Sequence, residues 1–345
     1  MKETKRGSIK CVVWDLDHTI WDGVLSEGDE LVLKEGVIEI IRTLDERGIL
    51  QSIASKNEYD TAYEALKKFN IEEYFLYPQI NWGAKSSSVK TIAGLINISM
   101  ETIAFIDDQA FERGEMSFAL PEVLVIDAAD LADVLCMPEM NPRFITEDSK
   151  IRRKMYISDI KRNEIEKHFE GAQEEFLASL GMRITIKPVG EDDLKRAEEL
   201  TVRTHQLNTT GYTYDYDELD NFRKLDQYKL LIVGLTDIYG TYGKIGLVLI
   251  ECQEELWNIK LLLMSCRVMS RGIGTVLINY ILSLAKESHI GVQAEYIQTD
   301  RNRMMYITYK LAGFKEFTDS EGITILRNDL KNIQKIPDYI DLVIE

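Results

Sequence analysis

The chain has 345 residues, is 45% hydrophobic and 29% charged, and carries a formal net charge of −17. That length is more than one hydrophobic core usually organises, so two domains are expected. The acidic balance argues against nucleic acid or an anionic membrane as a bulk partner, and no run approaches the roughly 18 apolar residues that cross a bilayer.

Residues 9–14 form an apolar run that stops in Asp15-Leu16-Asp17, which reads as a buried parallel strand delivering carboxylates at its C-terminal edge. Residues 34–47 have helical spacing, with Val37, Ile40, Ile41 and Leu44 on one face and Gly48 as the C-cap. A strand over 49–54 ends at Ser55. Helices over 58–69 and 86–97 follow, then strands over 102–106, ending in Asp107-Asp108, and over 122–126. This alternation predicts right-handed βαβ units and a helix-covered parallel sheet. Pro138, Asn141 and Pro142 mark a junction within 138–150. The boundaries read as a first domain over 1–140, a helical connector over 141–180, a second domain over 181–330 and a C-terminal tail over 331–345.

The second half has a different pattern. A strand over 182–187 and a helix over 191–206 precede antiparallel strands over 228–236, 243–251 and 256–268. An amphipathic helix over 272–287, a strand over 292–299, a helix over 303–312 and a hairpin over 314–327 complete it. The N-terminus has no apolar signal core. Cys11, Cys136, Cys252 and Cys266 are scattered with no CxxC pair, which suits a reducing compartment and a cytoplasmic location.

Four strand ends carry the chemistry of the first half. Asp15 and Asp17 lie two residues apart where open α/β sheets bind ligands. Two carboxylates so close are costly unless a hard cation neutralises them, and Mg²⁺ prefers carboxylate oxygens plus water. Ser55, Lys85 and the Asp107-Asp108 pair stand at the following sheet ends. A hydroxyl, an ammonium and acidic groups can there surround one phosphate and one metal. In the second half, Met269-Ser270-Arg271-Gly272-Ile273-Gly274 joins a strand to a helix. The backbone N–H groups of such a turn suit an anion.

The ordered set of four resembles the haloacid-dehalogenase superfamily. The resemblance implies Asp15 as phosphate-accepting nucleophile and Asp17 as general acid and base. Thr19 and Ser55 would be donors to phosphate oxygens, and Lys85 the neutralising cation. A Mg²⁺ ion would be held by Asp15, the Asp17 carbonyl and Asp107, with Asp108 acting through water. The short gap between Thr19 and Ser55 leaves no room for a large cap domain. The second half resembles the Gcn5-related acyltransferase fold, with Met269 in place of the usual glutamine or arginine.

Together, the segments Trp14–Leu25, Asn81–Ser86, Phe105–Asp108, Arg203–Tyr212 and Met264–Val268 resemble the FkbH-like family over nearly the whole chain. His18, Ala84 and Gln109 replace expected asparagine, proline and asparagine. The resemblance implies transfer of a glyceryl group from 1,3-bisphosphoglycerate to the phosphopantetheine thiol of an acyl carrier protein, in polyketide and tetronate assembly. Cys266 would be the acyl-accepting thiol or simply a buried strand cysteine. His205 would be its base or a helix-end histidine. Arg271, Gly272 and Gly274 would receive the phosphopantetheine phosphate, and Asn208, Thr209 and Thr210 the glyceryl hydroxyls or the carrier arm. Arg152-Arg153-Lys154, Arg271, Arg301 and Arg303 would offer an acidic carrier protein a basic patch.

Overall fold

A computed structural model describes residues 8–320 and 322–345. The chain divides into two compact units, Met1–Ile157 and Ser158–Glu345. The division falls inside the expected connector.

The first unit opens with β1 (Cys11–Trp14), the ribbon β2 (Trp21–Asp22) and β3 (Val32–Leu33), α1 (Val37–Glu46), β4 (Leu50–Ser55) and α2 (Tyr59–Lys68). It continues with β5 (Gln79–Ile80), α3 (Lys85–Ile96), β6 (Ile103–Asp107), α4 (Ala110–Ala119), β7 (Leu124–Asp127) and α5 (Glu147–Lys150). The five main strands make a sheet in the order β5-β4-β1-β6-β7, and every pairing is parallel. Two-sided burial explains the unbroken apolar runs: β1 is buried at every residue, as are β4 and β6. The predicted face of α1 is the buried one, Val37, Ile40, Ile41 and Leu44, each worth about 1.5–3 kcal/mol when fully buried. Gly48 ends that helix with φ +71°, and a Cβ there would sit 2.6 Å from Arg152 Nη1 and 2.8 Å from the Ser149 carbonyl. Only glycine meets both demands.

The chain then forms α6 (Arg152–His168), within which the two units divide, and α7 (Gln173–Ser179). The second unit goes on with β8 (Arg183–Pro188), α8 (Leu194–Arg203), α9 (Tyr216–Lys224), β9 (Tyr228–Asp237), β10 (Gly240–Cys252) and β11 (Leu256–Met264). After it come α10 (Ile273–Glu287), β12 (Gly291–Tyr296), α11 (Arg303–Leu311), β13 (Lys315–Ser320), β14 (Ile323–Asn328) and β15 (Asp341–Ile344). Its mixed sheet runs β13-β14-β12-β11-β10-β9-β8-β15. The fold class is therefore the expected one: a parallel α/β unit without a large cap, then an α+β unit.

Three expectations change. Residues 331–345 are not a plain tail, because Asp341–Ile344 pairs in parallel with Arg183–Ile186 and extends the sheet. The helix expected over 191–206 stops at Arg203. The strand expected over 256–268 stops at Met264 and gives way to a 3₁₀ turn over Cys266–Arg271.

One ion pair anchors the second unit. Arg162 and Asp237 both have fully buried side chains. The guanidinium donates to both Asp237 carboxylate oxygens at 2.7 and 2.8 Å and lies 3.7 Å over the Tyr242 ring. Removing one member of such a pair strands the other in a dry interior. Arg162→Met should therefore lower the unfolding free energy by about 3–5 kcal/mol, measured by urea denaturation.

Candidate active site

Each functional side chain of the first unit comes from the C-terminal end of a parallel strand or the helix that follows. β1 lies between β4 and β6, so the ends of those three strands converge. Asp15 directly follows β1, Ser55 closes β4, and Asp107 closes β6. Lys85 is the first residue of α3. His18 turns the chain after Asp17 with φ +55°, a left-handed conformation that asparagine, aspartate and histidine tolerate better than most residues. Histidine in place of the expected asparagine is thus compatible with the turn.

Lys85 is the hub. Its Nζ lies 2.8 Å from Asp15 Oδ1 and 2.7 Å from Asp107 Oδ2, and all three side chains are nearly inaccessible to solvent. Burial pushes the Asp15 carboxyl up to about 6; Lys85 opposes this and the Asp107 charge adds to it. Burial raises Asp107 as well, again against the pull of Lys85. Burial pulls the Lys85 ammonium down, but its two carboxylate partners outweigh that and hold it above its usual range. One cation between two carboxylates leaves a net negative charge in a low-dielectric crevice.

Carboxylate oxygens of Asp15, Asp107 and Asp108 lie within 4.8 Å of one another, the one carboxylate, cysteine or histidine cluster of metal-holding geometry among the described residues. Asp108 Oδ1 is buried and has no hydrogen-bond partner among the described residues. Three hard oxygen donors, one of them unsatisfied, fit a Mg²⁺-sized cation. The Asp17 side chain is not part of this trio. Its Oδ1 accepts from Trp21 Nε1 at 2.8 Å and the Leu25 N–H at 3.3 Å, and its Oδ2 accepts from Asn57 Nδ2 at 3.0 Å.

Thr19 and Ser55 are buried. Thr19 Oγ1 accepts from the Asp108 N–H and Ser55 Oγ from Asn57 Nδ2, so each hydroxyl keeps its own proton to donate. Asn57 was not anticipated. The signal that could have found it is its place two residues beyond Ser55, where the chain leaves β4.

The second unit gathers its expected residues less completely. Cys266 is exposed at the head of the turn rather than buried in a strand. Arg267 follows it in the turn, and its Nη2 donates to the Tyr242 carbonyl. His205 is exposed beyond the end of α8. Arg271 is buried, held by Glu166 at 3.0 Å and placed over the Phe176 ring. Its charge is therefore committed within the unit. Gly272 and Gly274 do line a small pocket of about 70 Å³ with Leu207, Met264, Met269 and Met304. Gly272 has φ +71°, and a Cβ on Gly274 would lie 2.6 Å from Met264 Cε. Asn208, Thr209 and Thr210 are buried. They belong to a strap along the C-terminal half of β11, beyond its pairing with β12, with Thr209 N–H donating to the Leu262 carbonyl and Met264 N–H to the Leu207 carbonyl. Arg153 of the expected basic patch is bound to Asp45 and Glu73.

No protein-family model and no curated protein matches the chain. Among solved structures it is similar to the N-terminal part of the protein BF1531 from Bacteroides fragilis, which contains a phosphatase domain complexed with Mg: 27% identity, TM-score 0.33, covering 40% of this chain and 41% of that one. It is also similar to the ribosomal-protein-S18-alanine N-acetyltransferase from Escherichia coli, at 14% identity and TM-score 0.34, covering 45% of this chain and 97% of that one. A third is Ard1 from Thermoplasma volcanium, at 16% identity and TM-score 0.32, covering 42% and 94%. The chain thus spans about two-fifths of the Bacteroides fragilis structure.

The raised Asp15 value gives a signed prediction. A carboxyl whose folded pKa rises from 3.8 to about 6 favours folding below pH 4 and loses that contribution as pH rises to 6. Lys85 offsets the loss. Lys85→Met removes the offset, so its melting temperature should fall further below wild type at pH 8 than at pH 5. Scanning calorimetry at the two pH values measures this.

Proposed function

We propose that the first unit is a Mg²⁺-dependent phosphoryl-transfer enzyme and the second an acyl-transfer unit. Together they would take 1,3-bisphosphoglycerate, release its ester phosphate to water and its acyl phosphate to a thiol, and pass the glyceryl group to the phosphopantetheine thiol of an acyl carrier protein. The setting would be cytoplasmic, in polyketide or tetronate assembly. The observation that carries the phosphoryl half is the buried Lys85 ammonium within 2.8 Å of both Asp15 and Asp107, beside the unsatisfied Asp108 oxygen.

In this reading an Asp15 carboxylate oxygen bonds to phosphorus as the bond from phosphorus to the leaving oxygen breaks. Asp17 gives that oxygen its proton. A water oxygen then bonds to phosphorus, its proton passes to Asp17, and the electron pair of the breaking P–O bond returns to Asp15. Lys85 remains beside the nucleophile throughout and balances charge on the phosphoryl oxygens. Thr19 and Ser55 donate to those oxygens. Asp15, Asp107, Asp108 and the Asp17 carbonyl would hold Mg²⁺, which when bound neutralises further phosphoryl charge.

For the acyl half, the exposed thiol of Cys266 is accessible to an acyl donor. Its sulfur would bond to the acyl carbon as phosphate leaves, and the carrier thiol would then displace it. His205 would be the base. Gly272 and Gly274, at the head of α10, would face the phosphopantetheine arm.

Mass spectrometry of a carrier protein incubated with the chain, Mg²⁺ and 1,3-bisphosphoglycerate tests the reading. A glyceryl adduct is expected. Amine acetylation from acetyl-coenzyme A, with no adduct, would replace it with a phosphatase joined to an N-acetyltransferase. Asp15→Asn should abolish phosphate release from a simple phosphate ester, while Cys266→Ala should abolish the adduct and leave that release intact.

Acid sensitivity follows from Asp15, which must be ionised to attack or to hold a metal. Because its pKa is pushed up to about 6, phosphate release at limiting Mg²⁺ should fall about tenfold per pH unit below that value. Chelation should abolish release, and added Mg²⁺ should restore it.

A further inference from the structure

Asn57 is not one of the four strand-end groups, yet it is as buried as Asp15, Ser55 and Lys85. It is 2% exposed, in the bend between β4 and α2. Its Nδ2 lies 3.0 Å from Asp17 Oδ2 and 3.3 Å from Ser55 Oγ. An ionised carboxylate only accepts hydrogen bonds, so the end of the carboxamide facing Asp17 must be the NH₂. That leaves Asn57 Oδ1 on the other side, buried and without a hydrogen-bond partner among the described residues. A lone acceptor so enclosed is uncommon in folded proteins and calls for a reason.

The Asp17 carboxylate is held from two directions. Trp21 Nε1 and the Leu25 N–H fix Oδ1, while Asn57 alone among these donors fixes Oδ2. With one neutral donor on it, Oδ2 keeps a lone pair for a proton, whereas Oδ1 is already doubly engaged. The oxygen with proton capacity is therefore the one beside the Asn57 carboxamide.

We infer that Asn57 is the positioning residue of the hydrolytic half-reaction: its Nδ2, set between Asp17 Oδ2 and Ser55 Oγ, fixes the orientation of the carboxylate oxygen that takes a proton from the attacking water. This inference rests on the phosphoryl-transfer reading and adds to it the group that aims the base. In the step, the water oxygen bonds to phosphorus and the Asp15 oxygen leaves with its electron pair. One water proton moves to Asp17 Oδ2, and the other stays on the new phosphate oxygen. The role is specific to the second step. Asp15 attack needs no water, and an acidic leaving group needs little help from Asp17.

p-Nitrophenyl phosphate separates the steps, because its leaving group departs without protonation. The full chain with Mg²⁺ is mixed with this ester, quenched in acid, and analysed for phosphorylated Asp15 peptide and released phosphate. Asn57→Ala should keep the p-nitrophenolate burst and lower kcat about tenfold or more, part of the about 10²–10⁴-fold that a general base contributes, with KM falling in proportion so that kcat/KM, which reports the first step alone, is unchanged. The fraction of phosphorylated Asp15 at steady state should rise. Trp21→Phe removes the donor on the other Asp17 oxygen and should shift the partition in the same direction. It provides a second route should the alanine variant fold poorly. Loss of stability alone would lower burst and turnover together and leave the partition at the wild-type value; that result in both variants would overturn the inference. Absence of phosphorylated Asp15 in the wild type would overturn the phosphoryl-transfer reading itself and the inference with it.

Discussion

Two buried carboxylates share one buried ammonium, and the first unit is arranged around that shortage of positive charge. Asp15 and Asp107 would repel each other across a dry crevice if Lys85 did not lie between them at 2.8 and 2.7 Å. The parallel sheet enforces the arrangement. β1 and β6 are neighbours in register, Trp14 opposite Ile106, so the residues that follow them cannot avoid each other. Folding therefore spends stability to hold a group of charges that a bound cation would relieve. Such unrelieved charge is common where a site is built for a ligand rather than for the fold.

Much of this site was legible in the sequence because each part is local. An apolar run ending in Asp-x-Asp already states where a strand stops and what it presents. The same holds for Ser55 after Ile49–Ala54 and for Asp107 after Ile103–Ile106. Lys85 was legible as the residue before a helical pattern, and the structure makes it the first residue of that helix. Asn57 was not legible, because nothing local shows that a polar residue in a bend will point back at Asp17, forty positions away. α4 was also missed. It carries Phe111 and Phe118 exposed at 76% and 91%, so its apolar pattern does not mark an inward face.

The second unit shows the limit more clearly. Periodicity placed β9, β10, α10 and the final hairpin close to where they form. It carried β11 too far, because after the apolar run Leu261–Met264 the polar–apolar alternation Ser265-Cys266-Arg267-Val268 still reads as strand and hides the turn that begins at Cys266. The consequence is chemical, since a strand cysteine would be enclosed and this one is exposed. Arg271 shows the converse. In sequence it reads as a cation beside a glycine turn, but its contacts with Glu166 and Phe176 depend on a helix a hundred residues earlier.

The strap along β11 has a consequence for how the second unit comes into being. Leu207–Thr210 takes its hydrogen bonds from β11 and from beyond β12: the Ile297 N–H donates to the Thr209 carbonyl, and Asn302 Nδ2 donates to the Asn208 carbonyl across 94 positions. None of these partners exists while the ribosome is still making the strap. During vectorial synthesis the segment must wait, unfastened, until the chain has grown past Asn302, and contacts so distant in sequence form late. A nascent or truncated chain ending before that asparagine would carry the polypeptide of the strap but not the clasp that closes it.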